Sequence, residues 1–330
     1  MKKIYYKIEF ILILVIIFMI TLIGIINPAA LNANSVFNMC RSIIVVGIFA
    51  VGVLMVLLSG GVDVSFTYIA PVAAYLAVKI LTAVQYTGSV LLPFLLAALF
   101  GMLMGAVNGF LISKFKFPTL IVTLGTGTAF QGLTVFLIGA VHITNLPGQM
   151  IELSKKNLIT FQNNNNMKGG LNITILITAA VIILGWFLLK KTMWGRGLYA
   201  IGGSVTSAER VGYNVKLIQF TLYMLVGGLS GIAGIIFMSL NRQATPHLMV
   251  GTELDVIAAV VLGGASVFGG KGSILGTVLG VVLVTILNNS LILIGIPTEW
   301  QKAVIGIVII IGTMLPILLG KVNKKQAVSG

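Results

Sequence analysis

Eight apolar runs, at about 8–26, 36–58, 89–112, 117–141, 171–190, 217–240, 273–296 and 300–320, follow one another with little between them. Each approaches the roughly 20 helical residues needed to cross a hydrocarbon core about 30 Å thick. Within such a core backbone N–H and C=O groups must be satisfied inside the protein, so a chain of this kind folds as packed helices. Composition agrees: 58 % of residues are hydrophobic and 8 % charged, with mean hydropathy +1.10. That is too little charge to cover a soluble domain. Two shorter runs, 64–82 and 252–264, bring the expected count to about ten membrane segments. The first run, Ile8 to Ile26, follows a basic start like a secretory signal but is too long for the usual apolar core of one. It reads as an uncleaved first span, and the chain as an all-α, multi-pass, single transmembrane domain over 1–330.

The formal net charge is +14, which would suit nucleic acid if the basic residues were clustered. They are instead dispersed between apolar spans, which excludes that reading and favours loops held on the cytoplasmic side. With both termini inside, fourteen Lys and Arg fall in inner loops and seven at outer ends. This orientation makes 142–170, with its Asn163–Asn166 tract, a long external loop and 191–216 a cytoplasmic one. Cys40 is the only cysteine, which excludes an internal disulfide and argues against structural zinc.

The segment GTELDVIAAVVLGGASVFGGKG, 251–272, is the least ordinary part of the chain. Its ten or so apolar residues cannot cross a membrane as a helix, and Gly263, Gly264, Gly269 and Gly270 open backbone conformations closed to other residues. Glu253 and Asp255 fall at the start, where a carboxylate meets free N–H groups and the positive end of the helix dipole. GVDVSFTYIA at 61–70, preceded by Gly60 and containing Gly61 and Asp63, echoes it. Both aspartates read as first-turn residues holding short broken helices, rather than as substrate contacts. Gly101, Gly105 and Gly109 stand four apart, as do Gly272, Gly276 and Gly280. Each run invites close helix approach, and each precedes a Pro-Thr pair, Pro118-Thr119 and Pro297-Thr298. The echoes suggest two inverted halves, about 1–141 and 171–320, although small-residue packing is general enough to produce such matches by chance.

ELDVIAAVVLGGASVFGGKGSILGTVLG, followed by NNSLILIG, closely resembles the membrane subunit of bacterial ATP-driven importers for ribose and related simple sugars. SGGVDVS at 59–65, FPTLIVTLGT at 117–126 and GRGLYAIGGSVTSAERVGYNV at 195–215 fall in that family's order. Gln131 departs from it, since the family often carries Arg there. The resemblance implies a multi-pass permease of the bacterial cytoplasmic membrane, paired with a second permease copy. It implies an ATP-binding subunit inside, holding ATP and Mg, and an external sugar-binding protein. In the family, the loop at 191–216 carries a coupling helix for the ATPase. The matching residues are Gly195, Arg196, Gly203, Ala208, Glu209, Arg210 and Gly212, with a short helix expected from Ser204 to Val211.

No catalytic or metal-binding constellation is visible: His142 and His247 stand apart at span ends. ASVFGGKG at 265–272 approaches a phosphate loop, but Gly272 stands where Ser or Thr must hold magnesium, and no strand is expected before it. ATP is therefore expected on a partner, not on this chain. Polar residues inside spans usually face the protein interior or a wet path; Asn108, Thr126, Gln131, Asn288 and Asn289 are the pathway candidates, with simple bonding between helices as the alternative. Branched-chain amino acids, nucleosides or a sugar-like signalling molecule would suit the same architecture. An ion-coupled carrier would need an intramembrane acid, and only seven acidic residues exist, four of them at span ends or in loops.

Overall fold

A computed structural model describes residues 2–28, 32–162 and 168–293, with isolated positions between 295 and 307. Most of the expected last span at 300–320, Thr298 and the Asn163–Asn166 tract lie outside the described residues. Helices dominate: α1 (Lys2–Ile26), α2 (Ala33–Leu58), α3 (Phe66–Ala83), α4 (Leu91–Phe115), α5 (Thr119–Ile138), α6 (Gly148–Lys155), α7 (Ile175–Lys191), α8 (Met193–Gly203), α9 (Val205–Arg210), α10 (Val215–Asn241), α11 (Glu253–Leu262) and α12 (Ile274–Leu293). One antiparallel hairpin, β1 (Asn157–Gln162) and β2 (Lys168–Asn172), stands with α6 in the loop expected to be external. Among the described residues seven helices are long and apolar enough to cross a membrane, or eight if α7 and α8, bent by 73°, count as one span. The two remaining segments of the expected ten are α11, whose 10 residues are too few to cross, and the 300–320 run, most of which lies outside the described residues.

α2 is the central post, buried from Ile44 to Leu58 apart from Val46. Its ends define two faces. Asn34, near its start, lies against Gly169 of the hairpin, and Leu58, at its end, lies against Gly202 of α8. We call these the hairpin face and the α8 face.

The glycine run in α4 sets the closest packing. A methyl group added at Gly101 would overlap the Gly227 carbonyl of α10, and one at Gly105 the Tyr223 carbonyl. At Gly109 it would meet Phe220. The second run packs differently: Gly276 lies against Gly263, and Gly280 against Ala259 of α11. Gly272, expected in that helical run, precedes α12 and sits in the loop with φ +159, where a Cβ would meet Leu54 and Leu58. The two runs match in spacing yet serve unlike contacts, since helix packing depends on which face the neighbour occupies and spacing does not encode it.

Three loops meet on the α8 face. Gly270 N–H donates to the Leu58 carbonyl (3.0 Å), and Gly202 is wedged between these two groups. Gly60 (φ +82), Gly269 (φ +91) and Gly270 (φ +69) take left-handed conformations there, which favour glycine. This junction joins the end of α2, the end of α8 and the loop after α11 backbone to backbone.

Two predictions follow from this packing. Gly105→Leu would force α4 from α10 and lower the melting temperature in detergent, through a destabilisation of roughly the 1–3 kcal/mol typical of overpacking or more. Gly132→Leu, at a position with open space around it, should melt like the parent. At the loop junction, Gly202→Ala should break the Gly270–Leu58 contact. A cysteine at Ser266, in a Cys40→Ala background, would then react faster with a thiol reagent. Gly203→Ala, next door but facing open space, should leave that rate unchanged.

Candidate functional site

Residues 61–64 form no regular element, and α5 supports them rung by rung. Val62 N–H donates to Thr119 Oγ1 (2.9 Å) and Val64 N–H to Thr123 Oγ1 (3.3 Å). Ser65 N–H and Oγ–H both donate to Asp63 Oδ1 (2.7 and 2.6 Å). Asn108 Nδ2 donates to Ser65 Oγ (2.8 Å), and Thr126 donates to Asn108 Oδ1. From Thr119 to Thr126 α5 rises about 10 Å, so α3 begins well inside the span. Asp63 is therefore not in a first helical turn, as its sequence context suggests. It lies two residues before the N-cap Ser65, closing an Asx-type turn in a buried setting.

The approach to α11 comes from the opposite face. Ala244 pairs with Ile143 on the hairpin side, and Gln131 Nε2 holds the Pro246 carbonyl (3.0 Å). Glu253 Oε2 then accepts from Gly251 N–H (2.9 Å) and from Thr67 Oγ1 (3.0 Å) of α3. The first turns of α3 and α11 thus meet inside the protein, and the two helices run apart towards opposite faces. Their N-terminal N–H groups and positive dipole ends converge there, as in the discontinuous helices of transporters. Glu253 and Asp255 both stand in the first turn of α11.

Beside that meeting point lies a cavity of about 620 Å³ bounded by α2, α10, α11 and α12. Its described polar lining is Asn38, Arg41, Ser42, Asn241, Thr252, Asp255, Thr285, Asn288 and Asn289, and Phe49 and Phe237 add aromatic faces. Arg41 also donates to the Leu240 carbonyl at the C-terminal end of α10, where a cation suits the helix dipole. Exposed Asn38 and Asn241 mark the end nearer the hairpin face. Towards the α8 face, α11 and α12 touch through Gly263 and Gly276. The structure thus divides the five pathway candidates. Asn108, Thr126 and Gln131 bond between elements that hold the broken segments, whereas Asn288 and Asn289 line the cavity.

Asp255, read from sequence as scaffold alone, both opens α11 and lines the cavity. Sequence reasoning passed over Asn38, Arg41, Asn241 and Thr285. A usable signal was Arg41 itself, a full charge inside an apolar helix three residues after Asn38.

The second cluster is the α8–α9 elbow. Thr192 caps α8, its Oγ1 accepting from Gly195 N–H (3.0 Å), and a Cβ on Gly195 would strike the Leu188 carbonyl at the bend. Ser204 caps α9 through Ser207 N–H (3.3 Å), and Gly212 (φ +95) ends it. The expected short helix is present, with α8 as an additional one before it. Arg196, Gly203, Glu209 and Arg210 are exposed, while Ala208 is buried against the core. A shallow hollow of about 310 Å³ lies between Tyr199, Ser207, Val211 and Tyr213. Among the described residues no group of three His, Cys, Asp or Glu side chains could hold a metal ion.

Comparison with known proteins accords with this layout. The chain is 35 % identical to the ribose import permease protein RbsC of Bacillus subtilis, over 90 % of this chain and 89 % of that protein. It is 30 % identical to the protein of the same name from Haemophilus influenzae, over 92 % of both. It is 33 % identical to the fructose import permease protein FruG of Bifidobacterium longum, over 81 % of this chain and 78 % of that one. No solved structure matches it. The family described as "Branched-chain amino acid transport system / permease component" matches residues 35–313. With its membrane-spanning helices, its paired broken segments and these relatives over most of its length, the chain belongs to that family of multi-pass membrane permeases.

Proposed function

We infer that this chain is the membrane-spanning subunit of an ATP-driven importer that carries a simple sugar, ribose-like in size, into a bacterial cell. The observation that carries this reading is the 35 % identity to a ribose import permease over nearly the full length of both proteins. In this reading the hairpin face is external and receives solute from a sugar-binding protein. The α8 face is cytoplasmic, with both termini, and meets an ATPase subunit that binds ATP and Mg. A second copy of the permease completes the pathway. The family description names branched-chain amino acids, but the named relatives carry ribose and fructose, and those names favour a sugar.

The coupling role falls to the α8–α9 elbow. It presents exposed Glu209, Arg210 and Val211 on its surface and is tied through Gly202 to Leu58 and Gly270. Force applied by a partner to α8 would reach the ends of α2 and of the α11 loop without passing through a flexible side chain. The exposed ring of Phe268 lies in that same loop and adds apolar surface to this face.

Uptake of radiolabelled D-ribose, D-fructose and L-leucine should be measured in cells carrying this permease with its ATPase and binding protein. Sugar uptake that disappears on deletion of the permease is expected; uptake of leucine alone would overturn the reading. Glu209→Lys combined with Arg210→Glu should reduce uptake at least tenfold while the amount of inserted protein stays the same. Normal transport by the double variant would remove the elbow from the coupling path.

A further inference from the structure

We propose that the cavity bounded by α2, α10, α11 and α12 is a solute-binding chamber within each protomer, built for a neutral polyhydroxylated ring. This proposal rests on the sugar-importer reading and adds to it a place where the solute pauses inside the membrane subunit.

Size is the first argument. About 620 Å³ falls within the roughly 300–1,000 Å³ typical of pockets that enclose small ligands. Chemistry is the second. Half of the described lining is polar in a chain whose residues are 58 % hydrophobic, and its polar groups come from four different elements. The Asn38 and Asn288 amides and the Thr285 hydroxyl can each donate and accept, as sugar hydroxyls do, while Thr252, whose hydroxyl donates to the Met249 carbonyl (2.7 Å), keeps an acceptor. Asn288 has no hydrogen-bond partner among the described residues although it lies within α12, where an unused amide is costly unless water or solute reaches it. Asp255 supplies an acceptor that would repel an anion. Arg41 donates to the Leu240 carbonyl and keeps its charge, so with Asp255 the described lining carries no net formal charge, which suits a neutral solute.

Position is the third argument. The chamber's floor is the start of α11, where Glu253 ties α11 to Thr67 of α3. Beyond it, towards the α8 face, Gly263 and Gly276 press backbone against backbone. A solute entering from the hairpin face would be held at α11 until that glycine contact opens. The contact lies between α11 and α12, and the loop after α11 is bonded to Leu58 beside α8. Release from the chamber is thereby connected to the elbow described above.

The test places a single cysteine at Asn288 in a Cys40→Ala background of the full-length permease in proteoliposomes and follows its modification by a small thiol reagent. D-Ribose, D-fructose and L-leucine serve as protecting solutes. The expected result is that a sugar slows modification of Asn288→Cys in a saturable way, while a cysteine at Gly132 on the open side of α5 is unaffected. Adding Thr285→Val should raise the sugar concentration for half-protection roughly fivefold, the loss of about one hydrogen bond. Asp255→Asn, which keeps an acceptor for the first turn, should shift it similarly without lowering the melting temperature. If cells import a sugar that gives no protection at Asn288, the chamber is overturned while the importer reading stands. Protection by L-leucine alone would overturn both.

Discussion

Inside a membrane a stretch of chain that is not helical must find partners for every N–H and C=O it exposes, because lipid offers none. The rest of this fold depends on how α5 meets that demand. Its threonines at 119 and 123 accept the N–H groups of Val62 and Val64, and Gln131 further along holds the Pro246 carbonyl. One helix thereby supports both irregular segments, each entering from its own face. α3 and α11 can then begin in the protein interior, and their first turns meet at the Thr67–Glu253 bond.

Close backbone packing supplies the rigidity around this polar centre. α4 and α10 approach through Gly101, Gly105 and Gly227 until carbonyls touch α-carbons, and no side chain separates them. α12 uses Gly276 and Gly280 against α11, on the far side of the broken segments. Between α12 and α2 there is no such glycine seam, and the space holds the cavity with its amides and carboxylate. A tight seam and an open chamber thus lie on either side of the same two-helix centre.

Much of this was legible in the sequence for reasons that are local. Apolar run length fixes which helices can span, and a run as short as 253–262 cannot. Paired glycines marked where the backbone turns, and Gly60, Gly264, Gly269 and Gly270 carry positive φ, but Gly263 has an ordinary φ of -64 and needs its missing side chain for the Gly276 contact instead. Gly202, Gly203 and Gly212 bracketed the short helix of the elbow because breaking and left-handed termination are properties of a few adjacent residues, while the Ser204 cap emerged from the structure. Asp63 was misplaced because an Asx turn and a first helical turn look alike in sequence, both offering a carboxylate to nearby N–H groups.

The sequence by itself determined that this chain is a bundle of membrane helices with two broken segments and a glycine-bracketed short helix in the elbow, since hydropathy and glycine act over a few residues at a time. Only the tertiary structure decided what those parts do to one another. It decided that Asn108, Thr126 and Gln131 are braces while Asn288 and Asn289 face a cavity, although all five are polar residues in apolar helices. It also brought Arg41, Asp255 and Asn288, far apart in the chain, to one chamber, and joined Gly60, Gly202 and Gly270 at one junction. The physical reason is rotational: helix periodicity states that a residue lies on some face, and only the neighbours packed around the helix state which face meets protein, lipid or open space.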